Sequence, residues 1–474
     1  MPAGGGLLQL VATGKQDLFL TGNPQISFFK MVYRRHTNFA TESQAMYFDG
    51  TPNFGQRITC LIPRRGDLLG RVYLDVTLPQ LRANDASGTV LSYTNAIGHA
   101  LIQEITFEVG EQEIDRQTGE WMEIWTQLTT PAGQREALNE MIGRVPDPYN
   151  PVTGVRIWPA TNTEGLRLLI PLQFYFCSNP GLYLPLLALQ YSPIRINITL
   201  RPLQQLFWVP PAANTCPTDP TIPAVPSAPP ACSTQVDCTS QIVNMMLWGD
   251  YVFLDVEERR RFVSNSHEYI IEQVQYTPPY SVTAQQTTAT ISIEFNHPIK
   301  EFMFVVQRDI MMDRNEWFNY SSLPYTESFS QQFIDNYINS NTPAGRLDLI
   351  STAKLQLDGY DRFAYRSPQY FRLQQPYEHH TTTPVDAFIY NYSFALRPED
   401  SQPTGTMNAS RIDSIVWQIQ MNPILSNQAL TVPPSPTVIL PPCKQRGACH
   451  IVVYAHNYNV FRVINGFGGL LFTI

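Results

Sequence analysis

A chain of 474 residues is too long for one ordinary hydrophobic core, and two large domains fit the roughly 100–200 residues that a domain takes. Charged residues make up 15% of it, against about 25% in an average soluble protein, so much of the surface must be neutral or covered, which favours a subunit of an assembly. A net charge of −8 excludes a broad phosphate-neutralising face, and with it a direct packer of nucleic acid.

Aromatic residues are abundant (23 Tyr, 25 Phe and 7 Trp), and with 39 Pro they suit short strands and turns better than long helices, so an all-β fold is expected. The opening MPAGGGLLQLVATGKQ lacks a basic segment followed by a sustained apolar run, and no window reaches the ~18 apolar residues of a membrane span. Neither a signal peptide nor a span is expected, and synthesis in the cytosol follows.

In chain order, the stretch up to Arg35 mixes apolar residues with Gly before any strand begins, and is expected to be an arm that orders against neighbours. Alternating runs then mark strands at 57–63, 69–78, 101–109, 166–176, 194–200 and 247–254. Several are apolar on both faces, which suits strands packed between a partner sheet and a neighbouring domain or subunit. Short helices are expected at 120–128 and 136–142, and 255–262 carries acid first and base last, the order the helix dipole favours. The domain boundary is placed there, giving a first domain over 36–260 and a second over 261–474. A second set of strands follows at 267–276, 289–295, 301–306, 349–357, 388–396, 412–421 and 450–458.

The two sets look like copies of one plan. Phe107-Glu-Val109-Gly110 matches Leu355-Gln-Leu357-Asp-Gly359, each an alternating strand closing on a glycine turn. Phe174-Tyr-Phe176 followed by Ile194-Arg-Ile196-Asn-Ile198 mirrors Tyr392-Ser-Phe394 followed by Val416-Trp-Gln-Ile419. Each strand of this last kind leads into a Pro-rich loop, at 209–235 and 432–443, so a tandem β-sandwich is the natural meaning. Stiff loops that cannot recruit extra strands suit an exposed crown.

Few residues announce chemistry. G-x-S-x-G, HExxH and phosphate-loop patterns are all missing from the sequence. His267-Glu268 opens like a zinc-protease motif, but Ile271 stands where the second His is required. Glu378-His379-His380 reads as a loop or interface feature, because adjacent side chains on a strand point to opposite faces. No catalytic, metal or cofactor residues are therefore expected. Cys60 and Cys177 lie in apolar runs as small buried thiols. Cys232 and Cys238 share their spacing with Cys443 and Cys449 and are candidate disulfide loops, although free thiols are the expectation in reducing cytosol. Asn319-Tyr-Ser321 and Asn408-Ala-Ser410 are candidate glycosylation acceptors, left unmodified if the chain is made in the cytosol. Short basic clusters at Lys30–His36, Arg64–Arg65 and Arg259–Arg261 suit ion pairs at interfaces.

Longer motifs carry a resemblance: LVATGKQDLFLTGNPQISFFKMVYRRHTNFA near the start, PLQFYFCSNPGLYLPLLALQY at Pro171–Tyr191, ERRRFVSNSHEYIIEQVQ at Glu258–Gln275, LQLDGYDRFAYRSPQYFRLQQPYEHH at Leu355–His380 and VVYAHNYNVFRVINGFGGLLF at Val452–Phe472. Over its whole length the chain resembles the double jelly-roll major capsid proteins of nucleocytoplasmic large DNA viruses, the group spanning chlorella viruses, iridoviruses and marseilleviruses. The resemblance implies two eight-stranded jelly rolls side by side, a homotrimer of pseudo-sixfold outline that tiles an icosahedral shell, and no enzymatic activity. It also implies that the N-terminal arm lies at the inner base, with Asn23, Pro24, Phe28, Phe29, Lys30, Arg34 and Arg35 in assembly contacts. Minor capsid and penton proteins would be its partners there, close to an internal membrane that the chain does not span. The virion is the implied location, after synthesis in the host cytoplasm. The Pro-rich stretches depart from the short connections expected of the family, and jelly-roll connectivity puts them at one end, outward. Two other readings stand beside this one: a carbohydrate-binding double β-sandwich used for attachment, and a β-sandwich hydrolase.

Overall fold

The computed structural model describes residues 4–81, 92–145, 165–208, 240–323, 346–425 and 447–473. The Pro-rich stretches 209–235 and 432–443 lie outside the described residues. The chain divides into two units, one ending at Phe39 and one running from Ala40 onward. In the first, helix α1 (Gly5–Val11) and a helical turn at Leu18–Thr21 bury none of their residues.

The second unit is built from strands. Its first half contains β1 (Phe39–Met46), β2 (Arg57–Leu61), β3 (Leu68–Leu78), β4 (Ile102–Val109), β5 (Gln112–Thr118), β6 (Leu166–Pro171), β7 (Ile194–Leu200) and β8 (Asn244–Leu254). They form two four-stranded sheets, in the orders β1-β8-β3-β6 and β2-β7-β4-β5. The second half contains β9 (His267–Tyr276), β10 (Thr288–Ile293), β11 (Pro298–Arg308), β12 (Ile350–Leu357), β13 (Tyr360–Asp361), β14 (Tyr390–Ser393), β15 (Ile415–Met421) and β16 (Cys449–Ile464). Their orders are β9-β16-β11-β14 and β10-β15-β12-β13, with short strands paired to the ends of β16 and β11 in the first. Each strand of the second half occupies the place of the strand eight earlier. Two antiparallel sheets wound in this order are a jelly roll, so the fold is all-β, a jelly roll made twice.

Local chemistry explains the elements. β10 alternates strictly between exposed and buried residues, as a strand with one wet face must. At the β12–β13 hairpin Asp358 and Gly359 have φ of 50° and 81°, the pair of left-handed residues that a two-residue type I′ turn demands. Gly110 (φ 70°) closes the corresponding β4–β5 hairpin. Helix α2 (Gly119–Thr129) starts where Thr118 accepts from the Trp121 N–H, and α3 (Ala132–Ile142) ends on Gly143 in the left-handed conformation. Helix α4 (Val256–Ser264) links the halves, with Glu257 and Glu258 in its first turn and Arg261 in its last.

Each sandwich has its own core. Phe107, Phe174 and Phe176 meet at 5.0–5.7 Å in the first. In the second, Trp417 is fully buried among Phe302, Phe304 and Phe371 at 5.1–6.3 Å. Four expectations need correction. The strand read at 166–176 stops at Pro171, and Tyr175–Ser178 forms a helical turn, which lets Phe174, Tyr175 and Phe176 all enter buried positions that a strand would alternate. The strand read at 388–396 is confined to Tyr390–Ser393. β1 was not expected; its sequence FATESQAM is polar and largely exposed, so hydrophobic period gave no signal. Nor was the helical run at Tyr370–His379, whose first five residues form a π-helical turn.

Candidate functional site at the sandwich junction

The sheet β9-β16-β11-β14 is covered on both faces, which is why β11 shows an unbroken run of buried residues from Ile299 to Val306. One face, with Phe302, Phe304 and Val306, belongs to the second core. The other brings Val274, Met303, Val305 and Tyr454 against Trp121, Ile124 and Leu128 of α2 in a third cluster shared by the halves. The apolar-on-both-faces pattern thus marks the surface where one sandwich docks on the other.

Hydrogen bonds stitch this junction along its length. The Val274 N–H donates to Asp115 Oδ1 (3.1 Å), and Thr382 donates through N to Leu128 O (2.9 Å) and through Oγ1 to Thr130 O (2.7 Å). Asn315 Nδ2 donates to Gln204 O and Phe207 O (2.9 and 2.8 Å), while Trp317 Nε1 donates to Gln205 O (2.8 Å). The Arg201 guanidinium lies 3.9 Å above the Trp317 ring and pairs with Glu120. At the far end Leu470 N donates to Gln112 Oε1 (3.0 Å).

Between these contacts sits an ionic network. Both ring nitrogens of His380 lie 2.9 Å from carboxylates, Nε2 from Glu301 and Nδ1 from Glu399. His456 faces Glu272 at 3.4 Å and Glu301 at 3.6 Å, and the Trp125 ring stands edge-on to it at 4.6 Å. Lys300, fully buried, donates to Glu272 Oε1 (2.6 Å) and Pro398 O (2.8 Å). Burial opposes ionisation of Glu301, yet His380 and His456 outweigh it and hold the carboxyl far below the usual range. Glu272 is likewise held at about 2, against its burial, by His456 and Lys300. Burial works against a charged His380 as well, but Glu301 and Glu399 raise it to about 9. Asp115 is pushed up to about 6 by burial, which the Val274 N–H and the Gln117 amide offset in part. Protonated, His380 donates from both nitrogens to carboxylates, with the Asn391 amide also packed against Nε2, and acts as an imidazolium strut between Glu301 and Glu399. Among the described residues no group of three or more His, Cys, Asp or Glu side chains is placed to hold a metal ion.

The residues singled out from the sequence are scattered. Asn23, Pro24, Phe28, Phe29, Lys30, Arg34 and Arg35 are all exposed within the first unit. Cys449 is buried at the start of β16, whereas Cys232, Cys238 and Cys443 lie outside the described residues. Asn408 is exposed, its Oδ1 accepting from Ser410 N (3.1 Å). Asn319 is fully buried and its amide donates to Glu316 Oε2 (2.6 Å) and Leu323 O (3.0 Å), which leaves no room for a glycan and corrects that expectation. Sequence reading found His379 and His380 but not their partners. The local signal was titratable residues set beside apolar runs, Lys300 and Glu301 in β11 and His456 in β16.

The comparisons with known proteins agree with this architecture. Residues 27–255 match the family model of the major capsid protein N-terminus, and residues 258–469 match that of the large eukaryotic DNA virus major capsid protein. The chain is 37% identical to a major capsid protein of Phaeocystis pouchetii virus, over 99% of both chains. It is 33% identical to that of Paramecium bursaria Chlorella virus 1, again over 99% of both. Among solved structures, PBCV-1 VP54, fitted into a reconstruction of the virophage Sputnik, superposes with a TM-score of 0.71 at 29% identity, covering 94% of this chain and 100% of that one. The Faustovirus major capsid protein shares the fold alone, at 14% identity with a TM-score of 0.71 over 95% of this chain and 94% of that one.

Proposed function

The chain belongs to the major capsid proteins of large eukaryotic DNA viruses, and on that premise we propose that three copies form a capsomer of hexagonal outline that tiles an icosahedral shell. The observation that carries this is the doubled strand order with a locked junction: two alike sandwiches held at one fixed angle let three chains present six similar edges. The halves divide as 36–260 and 261–474, and residues 1–35 act as an arm at the inner base, where minor capsid and penton proteins meet the shell near an internal membrane. The chain serves as structure and not as an enzyme, and reaches the virion after synthesis in the host cytoplasm. Exposed Asn408 is the remaining candidate for a glycan, and a Cys443–Cys449 loop and a Cys232–Cys238 loop remain candidate disulfides.

Light scattering on the native protein, with negative-stain images of the same peak, tests the capsomer. The expected mass is three times the 53.8 kDa of the chain, with hexagonal outlines. A monodisperse monomer at the concentrations of assembly would overturn it.

A further inference from the structure

The first unit leaves open what proteins ordinarily cover. Leu7, Leu8, Leu10 and Val11 of α1 are 68–79% exposed and, at about 100° per residue, share one face of the helix with Gln9 opposite. Farther along, Phe28, Phe29 and Tyr33 are 89%, 99% and 81% exposed. Open apolar side chains in such succession mark a surface that meets a protein or a membrane.

Charge separates the two. Residues 4–36 carry four basic side chains, Lys15, Lys30, Arg34 and Arg35, against one acid, Asp17. That is a net +3 in a chain of −8, which leaves −11 on the rest. An anionic surface therefore attracts this segment and repels the body behind it, a segregation for which an apolar protein groove has no use. The basic residues are also set among aromatic ones, in Phe28-Phe29-Lys30-Met31-Val32-Tyr33-Arg34-Arg35. Such a segment suits the boundary of a bilayer, where rings settle at headgroup level and long basic side chains reach back to the lipid phosphates. With seven residues α1 is about 10 Å long against roughly 30 Å of hydrocarbon, so the segment lies in the interface and does not cross it.

We propose that residues 4–36 bind the surface of an anionic lipid bilayer, with Phe28, Phe29, Tyr33 and the apolar face of α1 at the acyl boundary and Lys30, Arg34 and Arg35 at the headgroups. Such binding deepens the inner-base role proposed above and rests on that reading for the membrane it meets. The purified native chain, its mass read by light scattering, is co-sedimented with vesicles of phosphatidylcholine alone and of phosphatidylcholine with about one-third phosphatidylserine. Saturable binding to the anionic vesicles is expected, at least about tenfold tighter than to the neutral ones. The triple change Lys30→Gln, Arg34→Gln and Arg35→Gln should abolish that preference. Phe28→Ser with Phe29→Ser should weaken binding to both kinds of vesicle about tenfold or more. All five side chains are exposed, so the melting temperature should not move in either variant. No binding to the anionic vesicles, equal binding to the neutral ones, or a variant that binds as the wild type does overturns the proposal. A trimer that leaves the anionic vesicles free assigns the arm to a protein partner and keeps the capsomer; a monomer that binds them upholds the lipid contact and sinks the capsomer.

Discussion

Raising the pH should loosen the junction through one residue, His380. Its pKa stands at about 9, above the ordinary value of 6.5, because Glu301 and Glu399 each hold one of its nitrogens. A raised basic group stabilises the fold fully below its unfolded pKa, and that contribution is lost as pH climbs through the folded value. The window is therefore 6.5 to 9, and a shift of this size is worth about 3 kcal/mol. The three shifted acids of the junction titrate below that window: Asp115 at about 6, Glu272 at about 2 and Glu301 far below the usual carboxylate range. The thiols of Cys60, buried, and Cys177, half-buried, are both raised to about 12 by desolvation and titrate above it. The assay is the urea midpoint of the purified chain at pH 6.5, 7.5, 8.5 and 9.5, for the wild type and for His380→Gln. A steady fall is expected for the wild type. The variant should start lower and stay nearly flat, since it leaves Glu301 buried beside fewer cations, a loss of roughly 3–5 kcal/mol. A wild-type midpoint that does not move, or a variant with the same slope, would refute the assignment.

Glycines on neighbouring helices should respond oppositely. In Gly119→Ala the new methyl collides with the backbone carbonyls of His99 and Ile102, and a large loss of thermal stability is expected. In Gly133→Ala it meets nothing within 4 Å, and a helix-propensity gain of about 0.5–1 kcal/mol should raise the melting temperature slightly. Trp417→Ala empties the centre of the second core and should cost about 3–5 kcal/mol in denaturant titration, whereas Trp417→Phe should cost less. Deleting residues 1–35 should leave the circular dichroism and melting of the remaining chain unchanged while impairing shell assembly, as scored by electron microscopy; normal shells would remove the arm from the mechanism.

What the sequence determined by itself was the pair of β-domains and most of their strands. Alternation over Ile194–Leu200 and Ile415–Met421, aromatic richness and the Asp358-Gly359 turn are local properties, set by which side chains can sit on a pleated surface and which residues tolerate positive φ. The long family motifs carried the function further than any single residue did. Tertiary structure alone decided the junction. Glu301 and His380 are 79 residues apart and Glu272 and His456 are 184 apart in a sequence where neither pairing leaves a periodic trace, because partners across a docked sheet are chosen by strand register and by the angle between sandwiches. The polar strand β1 was hidden for a related reason: its place is set by pairing with β8 at the sheet edge and not by burial of its own side chains.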